Sequence, residues 1–93
     1  MTNGQLSEYE QALVGEMVDG EIEAVFRWGI IVDLGLSRAG LIDALYIDAG
    51  DNYQVGDQVS GYLDYFDEQK DKFILRPPNQ IPLAERLRRA TGQ

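Results

Sequence analysis

Apolar and polar residues take turns along much of this chain, in short segments that stop and restart. From Gly15 onward, Val18, Gly20 and Ile22 alternate with Asp19, Glu21 and Glu23. A period of two marks a strand with one face on a core and the other in water. The pattern runs to about Phe26, where the adjacent apolar pair Val25-Phe26 breaks it and predicts a β-bulge. Arg27-Trp28-Gly29 predicts a tight turn, residues 30–34 a second strand, residues 35–39 a loop and Gly40–Asp43 a short third strand. Residues 44–56 hold Gly50, Asp51, Asn52 and Gly56, a turn-rich connection with room for one helical turn. Val59, Gly61 and Leu63 then alternate with Ser60, Tyr62 and Asp64 in a fourth strand, and Phe66 resumes the inward face after an irregularity. Residues 67–71 form a polar hairpin loop, Lys72–Arg76 a fifth strand, and Pro77-Pro78 ends the sheet because proline brings no N–H to a ladder.

The two ends carry a different period. Ser7 followed by Glu10 fits a capping box, which predicts a short helical turn through Leu13; a frayed arm is the alternative. Beyond the prolines, Pro82 suits a first helical turn, Leu83 and Leu87 stack at i, i+4, and Glu85 reaches Arg89. The expected architecture is all-β: a five-stranded closed barrel over residues 13–76, a flexible arm or short helix over 1–12, and a Pro-led tail with a short basic C-terminal helix over 77–93. Five short strands leave no room for crossover helices, and closure removes the exposed edges of so small a sheet. Gly20, Gly29, Gly40 and Gly61 are expected to permit its sharp bends.

Composition narrows the chemistry. The 93 residues suffice for one domain, and an apolar share of 44% supports a folded core. There is no cysteine and no histidine, which removes disulfides, thiolate metal sites and the commonest general base. Asp48, Asp51 and Asp57 fit no calcium-loop spacing and read as solvated loop acids. No carboxylate pair stands in a recognisable motif, so the expectation is no enzyme, no catalytic residue, no metal and no cofactor. The apolar run at residues 28–32 is far below the ~20 residues of a membrane span, and the first five residues lack the basic and apolar stretches of a secretory leader. A cytoplasmic protein without membrane contact is the expectation.

The net charge is −8, and residues 13–76 hold 13 acidic against 5 basic side chains. Such a body repels phosphates at long range, while local basic spots act within a Debye length of ~8 Å. Arg86, Arg88 and Arg89 make the tail basic. Three uses are open to them: folding back on the acidic body, reaching nucleic acid, or docking a partner helix.

One ordered set of segments resembles the S1-type RNA-binding domain, a subclass of the OB-fold family. The segments are Val14-Gly15-Glu16 leading into Val18-Asp19-Gly20-Glu21-Ile22, then Trp28-Gly29-Ile30-Ile31-Val32-Asp33-Leu34, Gly40-Leu41-Ile42, Val55-Gly56-Asp57-Gln58-Val59, and Asp67 followed by Lys72-Phe73-Ile74-Leu75. In that family single-stranded RNA crosses strands two and three and stacks on two aromatics, with a histidine and basic groups completing the site. By position, the resemblance implies RNA binding at Trp28, the first aromatic, with Ile31 in place of the second and Asp43 in place of the histidine. Lys72 matches the basic position opening strand five, and Arg27 and Lys70 are expected nearby.

These departures leave two partners open. One is single-stranded RNA, bound weakly or in a wider context, because each stacked base is worth roughly 1–3 kcal/mol and one platform is missing. The other is a basic protein, met by an acidic OB-fold that has lost RNA binding. Trp28 suits a base, a protein anchor or a cap on the barrel core. Tyr62 and Tyr65, off the inward set, form either a recognition surface with Tyr46 and Tyr53 or ordinary strand packing. Lys70, Lys72 and Arg76 meet either phosphates or the neighbouring Asp67, Glu68 and Asp71. The oligomeric state is not encoded in any of these patterns.

Overall fold

The computed structural model describes residues 6–48, 50–80 and 85. In chain order these are α1 (Glu8–Leu13), β1 (Met17–Phe26), β2 (Gly29–Asp33), β3 (Gly40–Asp43), a 3-10 turn (Ala44–Tyr46), β4 (Gln58–Asp67) and β5 (Lys72–Arg76). The sheet order is β1-β2-β3-β5-β4, and β4 pairs back onto β1 to close the barrel. Every pairing is antiparallel except β3 with β5, which run parallel. This is the expected five-stranded OB architecture. Glu85 is helical, but the rest of the expected C-terminal helix, including Leu83, Leu87 and the three arginines, lies outside the described residues.

Closure depends on β1 serving two neighbours. Met17 to Glu21 pair with β4, and Glu21 to Phe26 pair with β2. Gly20 sits at that handover. A Cβ there would meet the Val32 side chain and stand 2.7 Å from the Asp33 carbonyl oxygen, which no rotamer change relieves. Likewise a Cβ on Gly29 would come within 2.8 Å of the Ile42 carbonyl oxygen. At both positions the glycine permits close strand approach, where the sequence suggested a bend.

The bulge in β1 is not at Val25-Phe26. Ile22 pairs with Val32 and Ala24 with Ile31, so Glu23 is the extra residue. The shift reverses the phase of everything after it. Ile22 and Val25 face inward, while Ala24 and Phe26 join Ile31 on the outer wall, as their partners Val32, Ile30, Ile31 and Gly29 require. The expected irregularity in β4 is present at Asp64, between Leu63 and Tyr65.

The core is built from Ile22, Ile30, Val32, Ile42, Leu63, Phe73 and Leu75, one or two from each strand. Tyr46 joins it at 2% exposure, because the 3-10 turn swings the ring inward. It is therefore no part of a tyrosine recognition surface. Tyr53 also packs against this core, half-buried.

The N-terminal helix forms as its capping box predicts: Glu10 N–H donates to Ser7 Oγ, and Ser7 N–H donates to Glu10 Oε1. Glu10 Oε2 also accepts the Ser37 N–H at 2.7 Å, tying α1 to the β2–β3 loop. Leu6 and Leu13 pack on the core beside it. The bond from Ser37 holds the Glu10 carboxyl below its usual range, against the opposing effect of its burial. A depressed carboxyl contributes stability above its unfolded pKa and loses it as pH falls through the folded one. Glu10→Gln is therefore expected to be less stable than the native chain at pH 7, with the gap closing below about pH 4. Urea unfolding at both pH values checks this; a gap of the same size at pH 3.5 would refute the tie.

Candidate nucleic-acid interface

Cross-strand register lays an apolar row over the outer wall. Ala24 pairs with Ile31, Ile31 with Leu41, Leu41 with Ile74, and Ile74 with Tyr65. Each flanks an inward-facing residue, so the row points away from the barrel interior. Leu41 and Ile74 are nonetheless almost fully covered, at 2% and 3% exposure. Part of that cover on Leu41 is visible: Trp28, Lys70 and Lys72 surround it, leaving a cleft of about 410 Å³. Lysine is suited to such a position, since its methylene stem covers apolar surface while its charged head reaches the polar rim.

The aromatic surface beside this cleft is larger than the sequence suggested. Phe26, placed outward by the Glu23 bulge, stacks on Trp28 with ring centroids 4.8 Å apart and planes within 6°. The two rings are 46% and 56% exposed. Trp28 is thus neither a core cap nor isolated. No sequence pattern alone pointed to Phe26, because its orientation depends on which residue of β1 bulges.

Other predicted site residues divide. Trp28, Lys70 and Lys72 converge, and Ile31 lies in the register row next to Leu41. Asp43 faces Lys70 at 3.9 Å, and its Oδ1 accepts the Leu45 N–H to cap the 3-10 turn. Its charge is therefore partly answered within the site. Arg27 departs from expectation: it lines a second concavity, with Phe26, Asp51, Asn52 and Tyr53, while Trp28 lines the first. Consecutive residues of the β1–β2 turn face different hollows.

The remaining cations have their own partners. Arg76 pairs with Asp64 at 3.1 Å, lies over the Tyr62 ring at 4.8 Å and donates to the Gln80 carbonyl. Asp71 is held by Arg38 at 2.7 Å and Lys72 Nζ donates to the Lys70 carbonyl, in place of the suggested pairing with hairpin acids. Tyr62 is thereby occupied, while Tyr65 stays half exposed. Asp51 and Asp57 accept the backbone N–H groups of Asp48 and Gln54 respectively, which are turn-forming bonds. Among the described residues no group of acids is arranged to hold a metal ion.

No family model and no curated protein matches the chain. Solved structures do share its fold. MJ1198, an uncharacterized protein from Methanocaldococcus jannaschii, is 19% identical with a TM-score of 0.59, over 75% of this chain and 93% of that one. RNase R from Mycoplasma genitalium is 21% identical with a TM-score of 0.60, over 69% of this chain. A multidomain protein with nucleic acid binding domains from Streptococcus pneumoniae is 16% identical with a TM-score of 0.59, over 85% of this chain. The chain spans only 13% of that RNase R and 30% of the pneumococcal protein. At identities this low the likeness extends to the fold alone, the OB-type fold that the sequence resemblance implied.

Proposed function

We propose that this chain is a nucleic-acid-binding module whose ligand is single-stranded RNA. The observation that carries the reading is the half-exposed Phe26–Trp28 stack beside Lys70 and Lys72. OB folds use the face of strands two and three and the β1–β2 and β4–β5 loops for oligonucleotides. Here Trp28 belongs to the first of those loops and Lys70 to the second. Every base has a π face, so the aromatic pair takes unpaired bases of any sequence, and the lysines meet the backbone. A duplex keeps its bases stacked inside and offers the platform nothing. Support also comes from the similar proteins, one carrying nucleic acid binding domains and another named as an RNase.

The charge sets the strength. Two or three local cations work against a body of −8, so binding is weak and its salt dependence shallow. Trp28 is the only tryptophan, so its fluorescence reports this site alone. Titration with a short single-stranded RNA is expected to give saturable quenching, with log K falling against log salt at a slope of about −1.4 to −2.1 for two or three phosphates. Unchanged fluorescence at millimolar RNA would contradict the proposal. It would favour the rival reading, a docking surface for a basic protein on the outward acids of β1 and β2, Asp19, Glu21 and Asp33.

A further inference from the structure

We propose that the second concavity, at the mouth of the barrel, is a base-reading pocket that takes a base with an exocyclic amino group and discriminates against uracil. The inference rests on the RNA reading above and deepens it.

The pocket is built where the β1 bulge leaves an inward-facing apolar residue uncovered. Val25 shares the phase of the core residue Ile30 yet is 46% exposed. Ile30, Ala44 and Ile47 line the apolar interior, and the volume is about 300 Å³. That is the small end of ligand pockets, suited to one planar ring and not to a folded ligand. One wall is Phe26, the same ring that stacks on Trp28. A strand lying on the aromatic pair therefore passes its neighbouring base to this hollow.

The polar lining selects the occupant. Asp51, Asn52 and Tyr53 line it, with Arg27. An ionised carboxylate only accepts hydrogen bonds and has about four lone-pair sites; the Asp48 N–H uses one on Asp51 Oδ2. An exocyclic amino group supplies the donor the rest can use, as acidic side chains do with cytosine N4. Uracil presents a carbonyl oxygen at the same edge, and two acceptors facing each other repel. Asn52 both donates and accepts, so it serves the ring edge of either base. Arg27, exposed at the rim, supplies the cation that lets a phosphate approach so acidic a loop.

The test compares the ribohexamers C6 and U6, two pyrimidines that differ at that edge, by Trp28 quenching on the full chain at one salt concentration. The native chain is expected to bind C6 about five-fold or more tightly than U6. Asp51→Asn, whose amide can donate to a carbonyl, is expected to erase or invert the preference while U6 still quenches Trp28. Val25→Phe, which fills the hollow without touching the polar groups, is expected to bring C6 down to the U6 level. Circular dichroism confirms that both variants fold. Equal affinities in the native chain would overturn the pocket and leave the RNA reading intact, as would a C6 preference unchanged in both variants. Quenching by neither hexamer would overturn both.

Discussion

Trp28→Ala is expected to lower affinity for a short single-stranded RNA by about 5- to 150-fold, the loss of one stacking platform worth roughly 1–3 kcal/mol. The variant removes the fluorophore, so the measurement is anisotropy of an end-labelled RNA. The barrel should survive: Trp28 is 56% exposed and lies in a turn, and exposed substitutions usually stay within about 0.5 kcal/mol. Affinity and stability therefore separate cleanly at this position. Trp28→Phe keeps a π face and is expected to recover most of the binding. Lys72→Ala should behave differently, with a loss that shrinks as salt rises, because a screened phosphate contact is what it removes. The contrast distinguishes stacking from charge. An alanine at 28 that binds RNA as tightly as the native chain would mean that the Phe26–Trp28 pair is not the platform.

That platform was only half legible in the sequence, for a physical reason. Alternation shows where a strand is; it does not show which residue the opposite strand skips. Glu23 is charged and sits in an outward phase, so nothing marks it as the unpaired residue, while the Val25-Phe26 pair looks like a break. The ladder decides otherwise, pairing Ala24 with Ile31, and this one-residue choice carries Phe26 to the outer wall and opens Val25 at the mouth. Where no such choice exists the reading held: β3 and β5 occupy the bounds that their apolar runs and the flanking glycine and prolines predict. Tyr46 stayed open between a recognition surface and packing because a phenol in a polar loop looks exposed; the 3-10 turn capped by Asp43 points it into the core and decides for packing. The capping role of Asp43 was itself available, as an aspartate two residues before the amide it binds. Lys70 and Arg27 were both set near Trp28 through the resemblance, as neighbours in sequence of Lys72 and Trp28. Hairpin geometry brings Lys70 to the cleft, and the β1–β2 turn sends Arg27 to the other hollow.

Phe73→Ala is expected to be the most damaging substitution to the fold, at about 3–5 kcal/mol. Phe73 is fully buried and sits where three strands meet: it pairs with Gly40 of β3 and Phe66 of β4, and its N–H donates to the Ala39 carbonyl at 2.9 Å. Its ring meets Phe66 edge-on at 5.1 Å. The neighbours cannot collapse into the space, because β3 and β4 are both fixed through their ladders to β5 and the barrel is closed. A domain of this length has about 5–14 kcal/mol in total, so the variant falls near the limit of folding at body temperature. Urea unfolding should show a lower midpoint with an unchanged m-value. Phe66→Ala is the informative companion. Phe66 is only half-buried, so less area and a shallower cavity are lost, and the cost should be visibly smaller. A loss below about 1.5 kcal/mol for Phe73→Ala would mean that the barrel relaxes far more readily than a closed ladder permits. The same substitution also tests how the cleft is held. Lys72 precedes Phe73 on β5, and its position beside Trp28 depends on that strand staying seated. At low temperature, where the variant remains folded, its RNA affinity should fall less than that of Trp28→Ala, because positioning is loosened while the stacking surface is retained.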